Sequence, residues 1–247
     1  MMEMKKFKAL FRYEMIDIYN RKSMFIMSVA LPVIFFLIFS SMMSGSETEI
    51  SYYTRDYMLS MTTFSLTSYA IFSFPIELIN EKKRGWTRSL LRTTITPLTY
   101  YSVKVLKMII MYMISILLVF IIGGTIKNVE MNVMEWIISY LALLFGAIIF
   151  LSIGLLLSQY KDAQKVSTIG NILYLGLAML GGLWFPIAIF PEWLKPIAKA
   201  TPTYNLKNLA AGVFNDNYPY ESILILGIYG FIFVILSLWI RKKVDVM

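Results

Sequence analysis

The sequence predicts an all-α polytopic membrane protein, with six transmembrane helices, an N-terminal interfacial helix and both termini in the cytoplasm. Three observations lead there. Six stretches contain no Asp, Glu, Lys or Arg, at 24–46, 57–76, 108–126, 136–160, 166–191 and 222–240. Each holds about 19 to 26 residues, and a helix needs roughly 20 to cross a bilayer. Apolar residues make up 58% of the chain, above the about 45–50% of soluble domains, and the mean hydropathy is +0.66. The positive charges are also unevenly placed. With the N-terminus inside, six of the 23 Lys+Arg precede the first stretch, seven lie between the second and third, two follow the fourth and three end the chain. Only Arg55, Lys127, Lys195, Lys199 and Lys207 remain outside. Such a bias orients a multi-span chain with both ends in the cytoplasm of the cell. It explains the net charge of +8 through anionic cytoplasmic lipid, so no nucleic-acid partner is implied.

The whole chain, 1–247, reads as a single transmembrane domain with three special segments. In 1–23, Met4, Phe7, Leu10, Phe11, Met15 and Ile18 recur at helical spacing while Lys5, Lys8, Arg12 and Asp17 lie off that stripe. That is the pattern of an interfacial helix on the inner leaflet. These residues are polar and lack a small-residue cleavage pattern, so the first stretch is expected to stay as an anchor. Segment 80–104 is a cytoplasmic loop in which Arg84, Arg88 and Arg92 fall at i, i+4 and i+8. They form a basic stripe on a short helix, with Trp86 and Leu90 on the adjoining face, and the helix must end before Thr96-Pro97. Two readings are open for it. It rests on lipid headgroups, or it presents Trp86 and the arginines to a soluble partner, both being favoured anchor types.

Segment 184–220 is apolar yet interrupted by Pro186, Pro191, Pro196 and Pro202, close behind Gly181 and Gly182. It cannot form one helix. Residues 185–190 are too few to cross and are expected to dip back into the outer leaflet under protein cover. Thr201-Pro202 then supplies an N-cap and a first-turn proline. Leu206, Leu209, Ala210, Val213 and Phe214 follow at helical spacing, predicting an amphipathic helix on the outer surface that ends near Asn215.

Several function classes fall away. Nothing outside the uncharged stretches exceeds about 35 residues, too few for a separate core, which excludes a globular enzyme. The chain has no Cys and no His, and so no catalytic thiol, imidazole base or usual zinc or haem ligand set. It also lacks the Gly-x-x-x-x-Gly-Lys-Ser/Thr run that cradles nucleotide phosphates. No catalytic residue, metal or cofactor is expected in this chain. An ATP-independent secondary transporter or channel is the alternative, and it would usually carry ionisable residues in mid-membrane. The uncharged centres show none. An embedded enzyme would need an intramembrane carboxylate pair, which is also missing.

The loop after the second stretch carries Glu81, Arg84, Gly85, Leu90, Leu91, Thr94 and Pro97. After the fifth come Gly182, Phe185, Pro186, Pro191, Trp193, Leu194 and Pro202. In this order, with an interfacial leader and six spans, the chain resembles the permeases of ATP-binding-cassette type-2 transporters over nearly its whole length. One departure is basic: Lys83 and Trp86 stand where that family usually has an acidic residue and a Thr.

The resemblance implies an exporter subunit that moves an amphipathic or hydrophobic cargo, a drug, an antimicrobial peptide or a lipid. It implies a dimer with a second copy or a similar permease, and cytosolic ATPase partners that hold the ATP and magnesium. It makes the segment with Glu81, Arg84, Gly85, Trp86, Arg88, Leu91 and Arg92 the coupling surface for that ATPase. For a cargo path, the hydroxyl-rich second stretch offers Thr63, Thr67 and Tyr69, and the fifth offers Thr168, Asn171 and Tyr174. Such groups bind amphipathic molecules without an intramembrane charge. They can equally bond back to their own helices.

Overall fold

The computed structural model describes residues 2–20, 22–214 and 218–245, and among them every regular element is helical. The first half holds α1 (Met2–Asn20), α2 (Lys22–Ser41), α3 (Glu47–Ser68), α4 (Phe74–Lys83) and α5 (Trp86–Leu91). The second half holds α6 (Pro97–Ile126), α7 (Val133–Leu157), α8 (Ala163–Leu180), α9 (Lys195–Ala200), α10 (Pro202–Ala211) and α11 (Tyr220–Asp245). Three are long and apolar enough to cross a membrane: α6, α7 and the Tyr220–Ile240 part of α11. The other uncharged stretches coincide with α2, α3 and α8, which are shorter or richer in hydroxyls.

Helix starts follow the local chemistry. Ser46 and Glu49 form a reciprocal capping box ahead of α3, and Asn132 and Glu135 do the same for α7. Each pair satisfies amides that a helix start otherwise leaves without partners. Thr96 caps α6, with Pro97 in its first turn.

The core is built around α3. Every residue from Tyr57 to Ile71 is buried, with α2, α6, α7, α8 and α10 packed round it. A π-helical turn, Tyr69–Ser73, joins α3 to α4, so one helical run extends from Glu47 to Lys83. Pro32 inside α2 has no amide hydrogen and leaves the Ser28 carbonyl without its helical donor. Ser65 of α3 replaces that donor, its Oγ lying 2.9 Å from the Ser28 oxygen.

Two expectations are corrected by this packing. The segment at 80–104 is mostly not a loop, because α4 continues to Lys83 and α6 begins at Pro97. The charged residues at those helix ends turn inward and pair with one another, so helix persists beyond the uncharged stretches. The helix expected on the outer surface, α10, is instead wedged between α3, α7 and α11. Leu206, Leu209 and Ala210 are fully buried. Gly146 of α7 makes room, since a Cβ there would collide with Leu206. The polar side of α10 is also engaged: Thr203 Oγ1 donates to the Leu177 carbonyl at 2.7 Å and Lys207 pairs with Asp56 at 3.0 Å. The stretch 185–190 contains only a 3-10 turn, Ile187–Ile189, after Gly182 at φ +69°. The expected helix end near Asn215 lies outside the described residues.

Candidate functional site

The turn from α4 into α5 depends on Gly85. Its φ of +71° is left-handed, a conformation glycine takes without the Cβ penalty. The turn starts the six-residue α5 beneath the ends of α4 and α6. Arg84, Arg88 and Arg92 are all exposed, although only Arg88 lies within the helix. Trp86 does not share that face. It is half-buried, with its ring 5.2 Å from that of Tyr13 in α1. Lys6 of α1 donates to the Thr94 carbonyl at 3.1 Å. Thr87 lies 3.5 Å from the hydroxyl of Tyr100 in α6. The short helix is therefore held by α1 and α6 while its arginines remain free of its packing. The side chain of Leu91 lies outside the described residues.

Glu81 is not on the arginine face and does not cap α5. It is buried, accepting from the Tyr100 hydroxyl at 2.5 Å and from Lys104 Nζ at 2.5 Å. It belongs to an ionic cluster that joins three helices. Lys104 also pairs with Glu14 at 2.7 Å and with Glu77. Lys107 pairs with Glu14 and Glu77, both at 2.9 Å, and with Asp17 at 3.1 Å. Both ammonium groups are almost wholly removed from solvent, and Glu14 entirely. A lysine has three N–H donors, and each of these two meets three carboxylates. That matching makes the burial of so many charges tolerable, because an ammonium or carboxylate left alone there would cost several kcal/mol. Burial pushes the Glu14 carboxyl above its ordinary value, against the opposing pull of Lys104 and Lys107. The carboxylate oxygens of Glu14, Asp17 and Glu77 lie close enough together to hold a cation. Two lysine ammonium groups already fill that role.

The amino-acid sequence carries signals of this cluster that the expectations above do not include. Glu14 falls on the apolar stripe of α1, four residues after Leu10 and four before Ile18. Asp17, placed off that stripe, faces Lys107. Glu77 and Glu81 are four apart and Lys104 and Lys107 three apart, so each pair occupies one helix face. Both lysines counted as loop cations in the charge bias; neither is in a loop.

The residues expected to line a path are divided. Thr63, Thr67 and Tyr69 are buried within the chain, and Tyr174 nearly so. Thr67 Oγ1 donates to the Thr63 carbonyl at 2.8 Å, and Tyr174 donates to the Phe64 carbonyl at 3.2 Å with its ring stacked on Phe64. Thr168 and Asn171 are exposed on α8, where Thr168 bonds back to Gln164. The first group lies in the core of the chain and the second faces outward.

Comparison with known proteins matches residues 5–214 to the family model described as "ABC-2 type transporter". The chain belongs to the ABC-2 type transporter family. Over 231 residues it is 28% identical to the protein named "Putative transport permease YvfS" of Bacillus subtilis (strain 168), covering 93% of this chain and 94% of that one. An ABC-2 chain is a membrane permease component of an ABC transporter, which accords with the apolar helices α6, α7 and α11. Within the ABC-2 frame, the structured α4–α5 junction and its ionic cluster form the most organised polar feature described above.

Proposed function

We propose that this chain is the permease subunit of an ATP-driven exporter, and that the arginine face of α5 docks on a separate cytosolic ATPase. The observation that carries this reading is the mounting of α5. Arg88 on α5 and Arg84 and Arg92 at its two ends are exposed, on a segment held by α1 and α6 and joined through α4 to a buried ionic cluster that ties α1, α4 and α6 together. A push on α5 would be passed to membrane helices rather than absorbed by a loose loop. The ATPase supplies the ATP and magnesium chemistry, and acidic groups on its surface complement the arginines. Six spans with both termini in the cytoplasm complete the arrangement. The charge bias keeps its direction when Lys104 and Lys107 are left out of it.

The cargo is amphipathic or hydrophobic, and its path runs between two permease units rather than through one. Support comes from α8, whose exposed face combines Thr168 and Asn171 with Ile172, Leu175 and Met179. Phe64 and Phe72 back α8 through the ring of Tyr174.

The test is a charge reversal, Arg88→Glu, at matched membrane abundance. Opposed like charges at an interface cost several kcal/mol, so pull-down of the partner ATPase and its stimulated hydrolysis should fall at least about tenfold. Unchanged association would return α5 to the lipid headgroups. Transport that persists without any ATPase would favour the secondary transporter reading.

A further inference from the structure

A hollow of about 190 Å³ opens between the N-terminal half of α3 and α10. The helical run from Arg55 to Glu81 rises roughly 39 Å, so the hollow and the ionic cluster stand at opposite ends of the molecule. Arg55 and Asp56 line it from α3, Tyr204 and Lys207 from α10, and Phe214 from the turn that follows. Two cations here share one carboxylate. Lys207 Nζ takes Asp56 at 3.0 Å, while the partly buried Arg55, next to Asp56 in the chain, makes no hydrogen bond or ion pair with the described residues. Its guanidinium instead lies over the ring of Phe214, 3.7 Å from the centroid, with the ring of Tyr52 at 5.8 Å. Stacking of that kind engages the faces of the planar group and leaves its edge of N–H donors unused. At the cluster each buried lysine meets three carboxylates; here the arginine meets none.

We infer that this hollow is a binding site for the carboxylate or phosphate group of an anion, with Arg55 as the bidentate donor and Lys207 as the second cation. Charge selects the occupant. The described lining carries one net positive charge, which a neutral or cationic guest would leave unmatched. Shape then selects among anions, because the guanidinium fork fits two oxygens of one carboxylate or phosphate and a single halide ion uses the fork poorly. Preorganisation adds to this. Phe214 holds the guanidinium before any guest arrives, so less side-chain freedom is lost on binding. A bound anion meets Arg55 of α3 and Lys207 of α10 together, and so ties the two helices at this end.

The test is calorimetric titration of the full chain, in detergent micelles free of phospholipid, with inorganic phosphate or acetate against sodium chloride at equal ionic strength. Wild type should bind phosphate and acetate saturably, and chloride at least about tenfold more weakly. Arg55→Gln should weaken the binding at least about tenfold, and Arg55→Lys, which keeps the charge but loses the fork, by nearly as much. Asp56→Asn removes the competing carboxylate and should tighten binding, a gain that a purely structural role for these residues does not produce. The source of the anion is read in a second arm, with the chain in phosphatidylcholine nanodiscs. A hollow filled by a lipid headgroup takes no free phosphate there, whereas one that serves a soluble anion binds as it does in micelles; either result supports the site. Absence of phosphate and acetate binding by wild type in micelles, equal binding by Arg55→Gln, or no gain in Asp56→Asn would overturn the assignment. So would binding that appears only after Asp216→Asn, since the chain's own carboxylate would then be the occupant. No arm involves an ATPase, so the result stands or falls separately from the exporter reading.

Discussion

Two buried polar regions of this molecule solve the same problem in opposite ways. In α3 the hydroxyls bond mostly within their own helix, as Thr62 does to Met58 at 2.7 Å and Ser60 to Asp56 at 2.9 Å. In the cluster next to α5, the ion pairs run between helices: the lysines of α6 reach carboxylates on α1 and α4. Local bonds of the first kind survive when helices slide against one another. Bonds of the second kind survive only if the three helices move as one. The cluster is therefore a mechanical joint, whereas the hydroxyls of α3 are largely internal lubricant for packing in an apolar setting.

The largest effect should come from breaking the joint. Lys104→Met leaves Glu14, Glu77 and Glu81 without their shared cation, and removing one partner of a buried ionic group costs about 3–5 kcal/mol. Thermal unfolding in detergent should show a drop of that order, with loss of α5-dependent ATPase association. A variant as stable as wild type would mean that water reaches the cluster. Glu14 refines the comparison through pH. A carboxyl whose folded pKa is raised adds stability below its unfolded value and loses it as pH rises through the folded one. The stability difference between wild type and Glu14→Gln should therefore shrink as pH rises from the ordinary carboxyl range, near 4.3, towards neutrality. A difference that grows would show that the lysines, not burial, dominate at Glu14.

One hydroxyl of α3 breaks the local rule. Ser65 serves a carbonyl on α2 that Pro32 leaves without a donor, and it also lies 2.8 Å from Ser115. Ser65→Ala should cost about 1–3 kcal/mol, the range for a buried acceptor left unmet. Restoring the missing amide with Pro32→Ala should recover part of that loss, which a double-mutant cycle in thermal unfolding would measure. Additive losses would mean that the Ser28 carbonyl finds another donor.

The contrast also marks what could be read before any coordinates. The uncharged stretches, the cap at Thr201 with Pro202 in the first turn, and the break at Gly182 are local, and the chain is helical or broken there accordingly. Trp86 and Glu81 were legible as special positions, but not their direction. Each is turned inward by a partner distant in sequence, Tyr13 for one and Lys104 for the other. Residue spacing fixes a helix face, while the element that meets that face depends on topology. The same holds for α10, whose apolar stripe was legible while the slot left by Gly146 was not.

The smallest effects should lie at the two threonines expected to line a path. Thr67 donates to the Thr63 carbonyl at 2.8 Å, an oxygen that stays within the helical backbone ladder when the hydroxyl is removed. Thr67→Val should shift stability by no more than about 0.6 kcal/mol, the average for such bonds within membranes. Thr63 differs in one respect. Its own hydroxyl oxygen is buried with no hydrogen-bond partner among the described residues, and an unmet buried group costs about 1–3 kcal/mol. Thr63→Val removes that group while keeping the shape, so this variant should be as stable as wild type or slightly more so. Transport measured beside stability then separates two roles. If packing is the whole role of these residues, both variants transport normally. If Thr63 transport falls while its stability rises, the unmet hydroxyl is held in reserve for a state in which α3 opens to the cargo.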